Sequence, residues 1–293
     1  MKLQITVDVF SGRPNPVMSF TGKQAEDAVK RLQPVRKLPK EKKGMPFPTL
    51  GYRGLVVEFV EGRGKNLPKM FRVADGVLMG KGLLHTAADE DFEDFVCGTV
   101  PRPRFGPKRI DFNDILLREL FRFRRLIYRY IPPRVIFWPP FINPCRCAPL
   151  YEPAWWNDGG QRQHNNNCYN YATNYRTDTF AQPGEAAGAM YTALTCASVK
   201  PAAVADALID NPTANNRCPS EGHLVALVIA PGWDFHWYRK GRNGSWSHKP
   251  GGTQVTNLDN SGNPIPDPRT ADRGPYTDFC TFMTVMHGHI KIR

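Results

Sequence analysis

The sequence has no apolar run of about 18 residues, and this absence excludes a membrane-spanning helix. Its first residues, MKLQITVDVFSGRPNP, alternate polar and apolar side chains and lack the apolar stretch typical of a secretory signal. No internal repeat and no low-complexity segment interrupts the 293 residues. The sequence does not determine the localisation. We expect a protein that is cytoplasmic at synthesis, with any export by a non-classical route.

Acidic residues are scarce in one stretch of the chain. Overall, 39 Lys and Arg face 27 Asp and Glu, a formal charge of +12. Residues 101–150 hold 11 basic and 3 acidic residues, whereas residues 151–293 hold 12 of each. Proteins that coat nucleic acid more often spread their cations over a binding face, because each phosphate contact adds to affinity. The confined excess argues against nucleic acid as the partner.

Within this basic stretch, residues 113–131 have the periodicity of an amphipathic helix. An apolar stripe and an arginine stripe each repeat every three or four residues. The arginine stripe is interpreted either as the solvated face of a surface helix or as a contact with an anionic membrane, cell-wall polymer or nucleic acid. The candidate anion-binding residues are Arg118, Arg122, Arg125 and Arg129.

The 25 Gly and 27 Pro residues indicate many loops and a β-rich fold of the α+β class. Residues 3–9 alternate in the pattern of a half-buried strand, and an apolar meander follows residue 223. We predict a small α+β accessory domain over residues 1–100 and a basic helix with a Pro- and aromatic-rich connector over residues 101–144. The third unit, residues 145–293, is predicted as a helix bearing a cysteine, packed on antiparallel strands.

Cys168 follows three asparagines that suit a helix N-cap, so its thiol is predicted at a helix start. A helix N-terminus and a nearby imidazole both lower a thiol pKa, which makes a cysteine nucleophilic. The spacing of Cys145 and Cys147 differs from the two-residue spacing of zinc sites, so we expect no metal site. We expect no cofactor either.

Two histidines are candidates to serve this thiol. His223 begins a strongly apolar strand, and His236 lies 13 residues later on the next strand. If a short turn pairs the two strands, the imidazoles become neighbours at one end of a hairpin, where one acts as base and the other orients it. His248 is a rival for either role.

This order of residues resembles the NlpC-type cell-wall endopeptidases and the related cysteine-histidine-dependent amidases, which have a papain-like fold. The resemblance covers residues 160–245 and rests on Cys168, the Gly222-His223 pair and His236. It implies a thiol hydrolase with a papain-like domain that cleaves a peptide or amide bond, in a cell-wall polymer for example, through an acyl-enzyme. In that family the three residues are nucleophile, base and orienting residue.

Other residues have candidate roles around this site. An oxyanion hole needs donors beside the nucleophile, and Gln163 and Asn166 lie just upstream of it. Trp155 and Trp156 are candidates for stacking on a sugar or peptide, or for a hydrophobic lid.

Seven cysteines leave at least one thiol unpaired, and the lack of an export signal favours a reducing compartment. Two alternatives to the hydrolase remain open. The first is a non-catalytic binding or structural protein in which Cys168 belongs to a disulfide. The second is a toxin or effector of the same fold that acts on side-chain amides of proteins.

Overall fold

The computed structural model describes residues 1–32, 36–37, 49–80, 83–86, 92–100, 104–105, 110–127 and 145–293. These segments contain helices and antiparallel strands in both halves of the chain. None of the described helices is both long and apolar enough to cross a membrane.

The N-terminal part forms a sheet of seven described strands. These are β1 (Lys2–Val7), β2 (Val17–Thr21), β3 (Arg36–Lys37), β4 (Leu55–Glu61), β5 (Met70–Ala74), β6 (Val77–Gly80) and β7 (Leu83–Thr86). They lie in the order β2-β1-β4-β5-β6-β7-β3, and all neighbours are antiparallel. In β1, Leu3, Ile5 and Val7 are fully buried, which confirms the predicted alternating strand.

Three helices and a short two-stranded ladder accompany this sheet. They are α1 (Gly22–Arg31), α2 (Phe92–Thr99), β8 (Arg104–Phe105), β9 (Ile110–Asp111) and α3 (Phe112–Ile127). The helix predicted over residues 113–131 is α3, described as far as Ile127. Leu116, Leu120 and Phe123 are buried, which confirms its apolar stripe.

The C-terminal part contains four helices and a second sheet among its described residues. The helices are α4 (Pro153–Trp156), α5 (Gln161–Asn165), α6 (Cys168–Thr173) and α7 (Cys196–Ala205). The strands are β10 (Ile209–Asp210), β11 (His223–Ala230), β12 (Asp234–Lys240), β13 (Trp246–His248) and β14 (Asp278–Val285). Their order is β10-β14-β11-β12-β13.

Both faces of the second sheet are covered by other parts of the chain. Successive side chains of a strand point to opposite faces. In β11, Val225 and Leu227 belong to an apolar cluster that includes Cys168 of α6. Leu224 and Ala226 belong to a cluster that extends into the N-terminal sheet. This double coverage explains why every residue of β11 is buried.

The carboxylate of Asp234, at the start of β12, joins the two sheets. It accepts hydrogen bonds from the backbone amides of Ser11 at 2.6 Å, Gly12 at 3.3 Å and Arg13 at 3.2 Å. The Tyr276 hydroxyl donates to the same carboxylate at 2.5 Å. The turn that ends β1 is therefore bonded directly to the C-terminal half.

The carbonyl of Gly12 adds hydrogen bonds in which the N-terminal half supplies the acceptor. It accepts hydrogen bonds from the side-chain amides of Asn167 and Gln182, each at 2.8 Å. The division into residues 1–100, 101–144 and 145–293 stays a prediction, but the outer two segments share buried hydrogen bonds and one apolar cluster.

A buried ion pair supports the same turn. Asp8 lies 2.7 Å from a guanidinium nitrogen of Arg53 and 2.7 Å from one of Arg72. Burial alone would raise the pKa of Asp8, but the two guanidinium groups hold it well below its usual value. The carboxylate therefore stays charged and fixes the chain that leads into the turn.

We predict that Gly12→Ala destabilises the whole protein. A Cβ at this position would overlap the buried ring of Phe235. The free energy of unfolding should fall by about 1–3 kcal/mol, the usual cost of an overpacked core. Urea denaturation of the parent protein and the variant measures this difference in the free energy of unfolding.

The matched control is Gly98→Ala in α2, where a Cβ meets no atom within 4 Å. Alanine favours a helix over glycine, so this variant should be as stable as the parent or more stable by up to about 1 kcal/mol. Equal effects of the two substitutions would show that the turn is not tightly enclosed.

Candidate functional site

Cys168 is the first residue of α6, as the sequence predicts. The Asn167 side chain caps the helix by accepting hydrogen bonds from the amides of Tyr169 at 3.0 Å and Asn170 at 3.1 Å. Asn170 in turn accepts one from the Asn167 amide at 3.1 Å, completing a capping box. The predicted N-cap is confirmed.

The environment of the Cys168 thiol is nevertheless apolar. The residue is fully buried in the cluster that contains Phe235 and Trp237 of β12. Burial, followed by repulsion from the Asp234 carboxylate, raises the pKa of the thiol well above its usual value. A thiol in this setting stays protonated at neutral pH, so the helix start does not make it a nucleophile.

His223 holds the far end of the same helix rather than the thiol. Its Nε2 lies 2.7 Å from the carbonyl oxygen of Ala172, and because a carbonyl can only accept, Nε2 carries the proton. Burial lowers the pKa of His223 to about 3. The imidazole is therefore neutral and bonded to a backbone group at the C-terminal end of α6.

His236 lies on the other face of the sheet from Cys168. The thiol packs with Phe235 and Trp237, and the side chain between them points to the opposite face. The strand register pairs His236 with Val228, five residues along β11 from His223, or roughly 16 Å at the rise of a strand. The expectation that the two imidazoles are neighbours is wrong.

The partner of His236 is His248, the rival that the sequence left open. His236 Nε2 lies 2.9 Å from His248 Nδ1, and His248 Nε2 lies 2.9 Å from the carbonyl of Leu258. Because that carbonyl must accept, His248 donates through Nε2 and accepts through Nδ1. Both rings are buried, and burial lowers both pKa values, that of His248 to about 4. The pair forms a neutral, buried chain of hydrogen bonds.

The two oxyanion candidates are engaged in structural contacts. The Gln163 side chain accepts a hydrogen bond from Gly159 at 3.3 Å. The Asn166 side-chain amide donates to Arg162 at 2.8 Å and to Asp178 at 2.6 Å. The role of these two residues in an oxyanion hole stays a prediction.

Trp155 and Trp156 have different environments. Trp156 is buried and meets Tyr171 edge to face, with ring centroids 5.2 Å apart, so it cannot stack on a ligand. Trp155 is 54% exposed, and the guanidinium of Arg176 lies 3.9 Å from its ring centroid. The stacking role of Trp155 stays a prediction for the ring face that Arg176 does not cover.

The arginine stripe of α3 is described only in part. Arg118 is exposed, and Arg122 forms an ion pair with Asp272 at 2.9 Å, so this second residue supports the fold. The side chain of Arg125 and the whole of Arg129 lie outside the described residues. Anion binding by the stripe stays a prediction.

Lys249 is a buried cation that sequence analysis missed. Its ammonium group donates to the carbonyls of Gln163 at 2.6 Å, Asn166 at 2.6 Å and Gly251 at 2.7 Å. Burial lowers the pKa of Lys249 to about 7. The side chain joins α5 to the segment after β13. Its place in the sequence, between a histidine and a proline, offers no periodic signal that predicts burial.

The described residues contain two disulfides, Cys145–Cys218 and Cys196–Cys280, each with Cα atoms 5.3 Å apart. Cys168 belongs to neither, so the alternative that placed it in a disulfide is wrong in that detail. The reducing compartment expected from the sequence is not supported, because structural disulfides persist in oxidising surroundings.

No group of three or more His, Cys, Asp or Glu side chains in the described part of the chain is arranged to hold a metal ion. The candidate site residues are Cys168, His223, His236 and His248. All four are buried, and each contacts groups that belong to the interior of the fold. The described geometry assembles no nucleophile with a base.

Insoluble matrix shell protein 1 from Ruditapes philippinarum is 49% identical to this chain over 142 residues, which make up 47% of this chain and 91% of that protein. No family model matches the chain, and no solved structure matches it. The resemblance to NlpC-type endopeptidases is therefore wrong, and with it the implied hydrolase, cysteine peptidase and amidase activity. The similar protein is named as a component of a shell matrix.

We predict that Cys168 does not react with iodoacetamide in the folded protein at neutral pH. Its thiol is fully buried and protonated, whereas the Cys147 thiol is exposed. Mass spectrometry of digested protein should find label on Cys147 alone before denaturation and on Cys168 only after it. In Cys147→Ser the folded protein should take up no label. Rapid labelling of native Cys168 would contradict the buried site.

We predict that acid destabilises the protein through its buried histidines. His248 and His223 have lowered pKa values in the folded state, so below about pH 6.5 the unfolded chain binds more protons than the folded one. The stability that they contribute is complete above this pH and is lost as the pH falls. For each of the two histidines, the free energy of unfolding should fall by up to about 1.4 kcal/mol per pH unit.

Urea denaturation at several pH values between about 6.5 and 5 measures this slope. The variant His248→Asn should be less stable overall but should depend less steeply on pH, by about one proton. The control His289→Asn, at an exposed position, should keep the parent slope. Parallel curves for parent and His248→Asn would mean that His248 is charged in the fold.

Proposed function

The chain belongs to the family of insoluble matrix shell protein 1, and from this premise we propose that it is a structural component of the insoluble matrix of a shell. The observation that carries the proposal is the 49% identity over 91% of that relative. The function is accordingly the non-catalytic structural alternative, and no substrate is proposed. The match covers 47% of this chain, so the role of the remainder is part of the proposal.

The geometry of the chemically active side chains supports a structural role. A catalytic thiol and its base must lie within hydrogen-bond reach of each other. Here Cys168 is packed among aromatic rings, and His223 and His236 bond to other groups. These residues stabilise the interior of the protein instead of facing a substrate.

The two disulfides support a location outside the reducing cytosol. They close loops with sequence separations of 73 and 84 residues, and one of them joins the start of α7 to β14. Cross-links of this length each contribute roughly 2–5 kcal/mol by restricting the unfolded chain. We propose that the protein acts in an extracellular matrix, which replaces the cytoplasmic location expected from its sequence.

We propose an anionic polymer or an acidic protein of the matrix as the partner. The net charge of +12 favours such a partner, because opposite charge steers association. Arg118 is exposed on α3 and lies in the basic stretch of residues 101–150. Binding through this stretch would leave the disulfide-linked half of the chain as the supporting scaffold.

The proposal predicts where the protein is found in the organism that makes it. An antibody raised against the recombinant chain should detect it in the insoluble fraction that remains after a shell is demineralised with a chelator. Peptide mapping of that fraction without reducing agent should recover the linked pairs Cys145–Cys218 and Cys196–Cys280.

A cytosolic enzyme, followed in parallel, should be missing from the insoluble fraction and serves as the control. Detection of the protein in the cytosol alone, with all seven cysteines reduced, would overturn the proposal.

A further inference from the structure

Lys240 and Asn216 form a partly buried contact between the end of β12 and the loop after β10. Lys240 ends β12 with only 7% of its surface exposed. Its ammonium nitrogen lies 2.6 Å from the side-chain oxygen of Asn216 and 2.8 Å from the backbone oxygen of the same residue. The amine is thus held against one amide.

The side-chain amide of Asn216 is fixed at both of its ends. The indole nitrogen of Trp246 donates to the side-chain oxygen at 2.8 Å, so this oxygen accepts two hydrogen bonds. The amide nitrogen donates to the carbonyl of Pro266 at 3.0 Å. The Trp246 indole stays bonded to this oxygen when the lysine nitrogen attacks the carbon, so this one donor polarises the carbonyl and stabilises the negative charge that develops on the oxygen.

The backbone of Asn216 holds the amide in this position. Its φ of 62° lies in the left-handed region, which asparagine tolerates better than most residues. The Cys145–Cys218 disulfide fixes the same loop two residues later. The amide is therefore presented to the amine by a constrained loop.

The amine can supply its neutral, nucleophilic form at moderate pH. Burial lowers the pKa of Lys240 to about 8, although the charge of Asp267 acts in the opposite direction. The charged groups that face the amine are Asp267 and, bonded to this carboxylate, Arg269.

We propose that Lys240 and Asn216 form an intramolecular isopeptide bond. The lysine nitrogen attacks the side-chain carbonyl carbon of Asn216, and negative charge develops on the oxygen bonded to Trp246. The bond from this carbon to the amide nitrogen then breaks. The lysine nitrogen loses two protons as the new amide forms, and both go to the leaving nitrogen, so that this nitrogen departs as ammonium. No oxidant and no cofactor take part.

The product would tie the loop after β10 to the end of β12 across 24 residues of sequence. Together with the neighbouring disulfide it would make this loop resistant to unfolding and to reducing agents. The inference does not depend on the shell role, because it rests on the contacts of three side chains.

The test is the intact mass of the full-length protein, kept near pH 8 so that part of the Lys240 amine is neutral. The expected mass is lower than that of the sequence with its disulfides by one ammonia molecule. A tryptic digest should contain one branched peptide that joins the segments carrying Lys240 and Asn216. Full mass after prolonged incubation, with only linear peptides at both positions, overturns the proposal.

Variants decide whether the loss comes from this pair. Lys240→Arg keeps the cation but cannot form the amide, so it should retain the full mass. Lys200→Arg, at a lysine paired with Asp210 on the surface, should lose ammonia like the parent. Loss of ammonia that persists in Lys240→Arg would place the reaction elsewhere and overturn the proposal. The peptide map of the parent protein decides alone if that variant does not fold.

A further variant tests the role assigned to the indole. Trp246→Phe keeps the ring but removes the hydrogen bond to the Asn216 oxygen. We expect the branched peptide to accumulate at least about tenfold more slowly, since one donor to a developing oxyanion is worth this much or more. An unchanged rate would contradict the positioning role of Trp246. The rate in the parent should rise with pH up to about 8 as the amine loses its proton.

Discussion

The structure depends on one buried carboxylate, that of Asp234, and the turn it binds. A carboxylate removed from water is costly unless donors surround it. Here three successive backbone amides, beginning with Ser11, and one tyrosine hydroxyl supply them. Because the three amides come from the N-terminal half and the carboxylate from the C-terminal sheet, neither half satisfies these polar groups alone. Both must fold for either interior to be complete.

Sequence periodicity predicted those elements whose burial is set by local pattern. The alternation in β1, the apolar run of β11 and the stripe of α3 each follow from which side chains face a core. The N-cap before Cys168 was also predictable, because asparagine caps helices by a local bond. Strand register, disulfide pairing and the burial of Lys249 were not, since each depends on segments distant in the sequence.

The misreading of the cysteine and histidines has a physical origin. Order and spacing along a chain do not determine which face of a sheet a side chain occupies, and a shift of one residue exchanges the faces. His236 follows Phe235, and this single step places it away from Cys168. A capped helix start is equally suitable for a reactive thiol and for a packed one. The surrounding rings, and not the cap, decide the pKa of the thiol.

Buried titratable groups and covalent cross-links act on opposite sides of the folding equilibrium. Protonation of buried imidazoles such as that of His248 raises the free energy of the folded state, because the ring must lose an accepting nitrogen that His236 uses. Disulfides raise the free energy of the unfolded state by restricting its conformations. A protein that buries many polar groups can therefore tolerate partial loss of those contacts if its chain is cross-linked. The two disulfides lie in the C-terminal half, where the buried histidines are concentrated. This placement favours persistence of the fold over chemical reactivity.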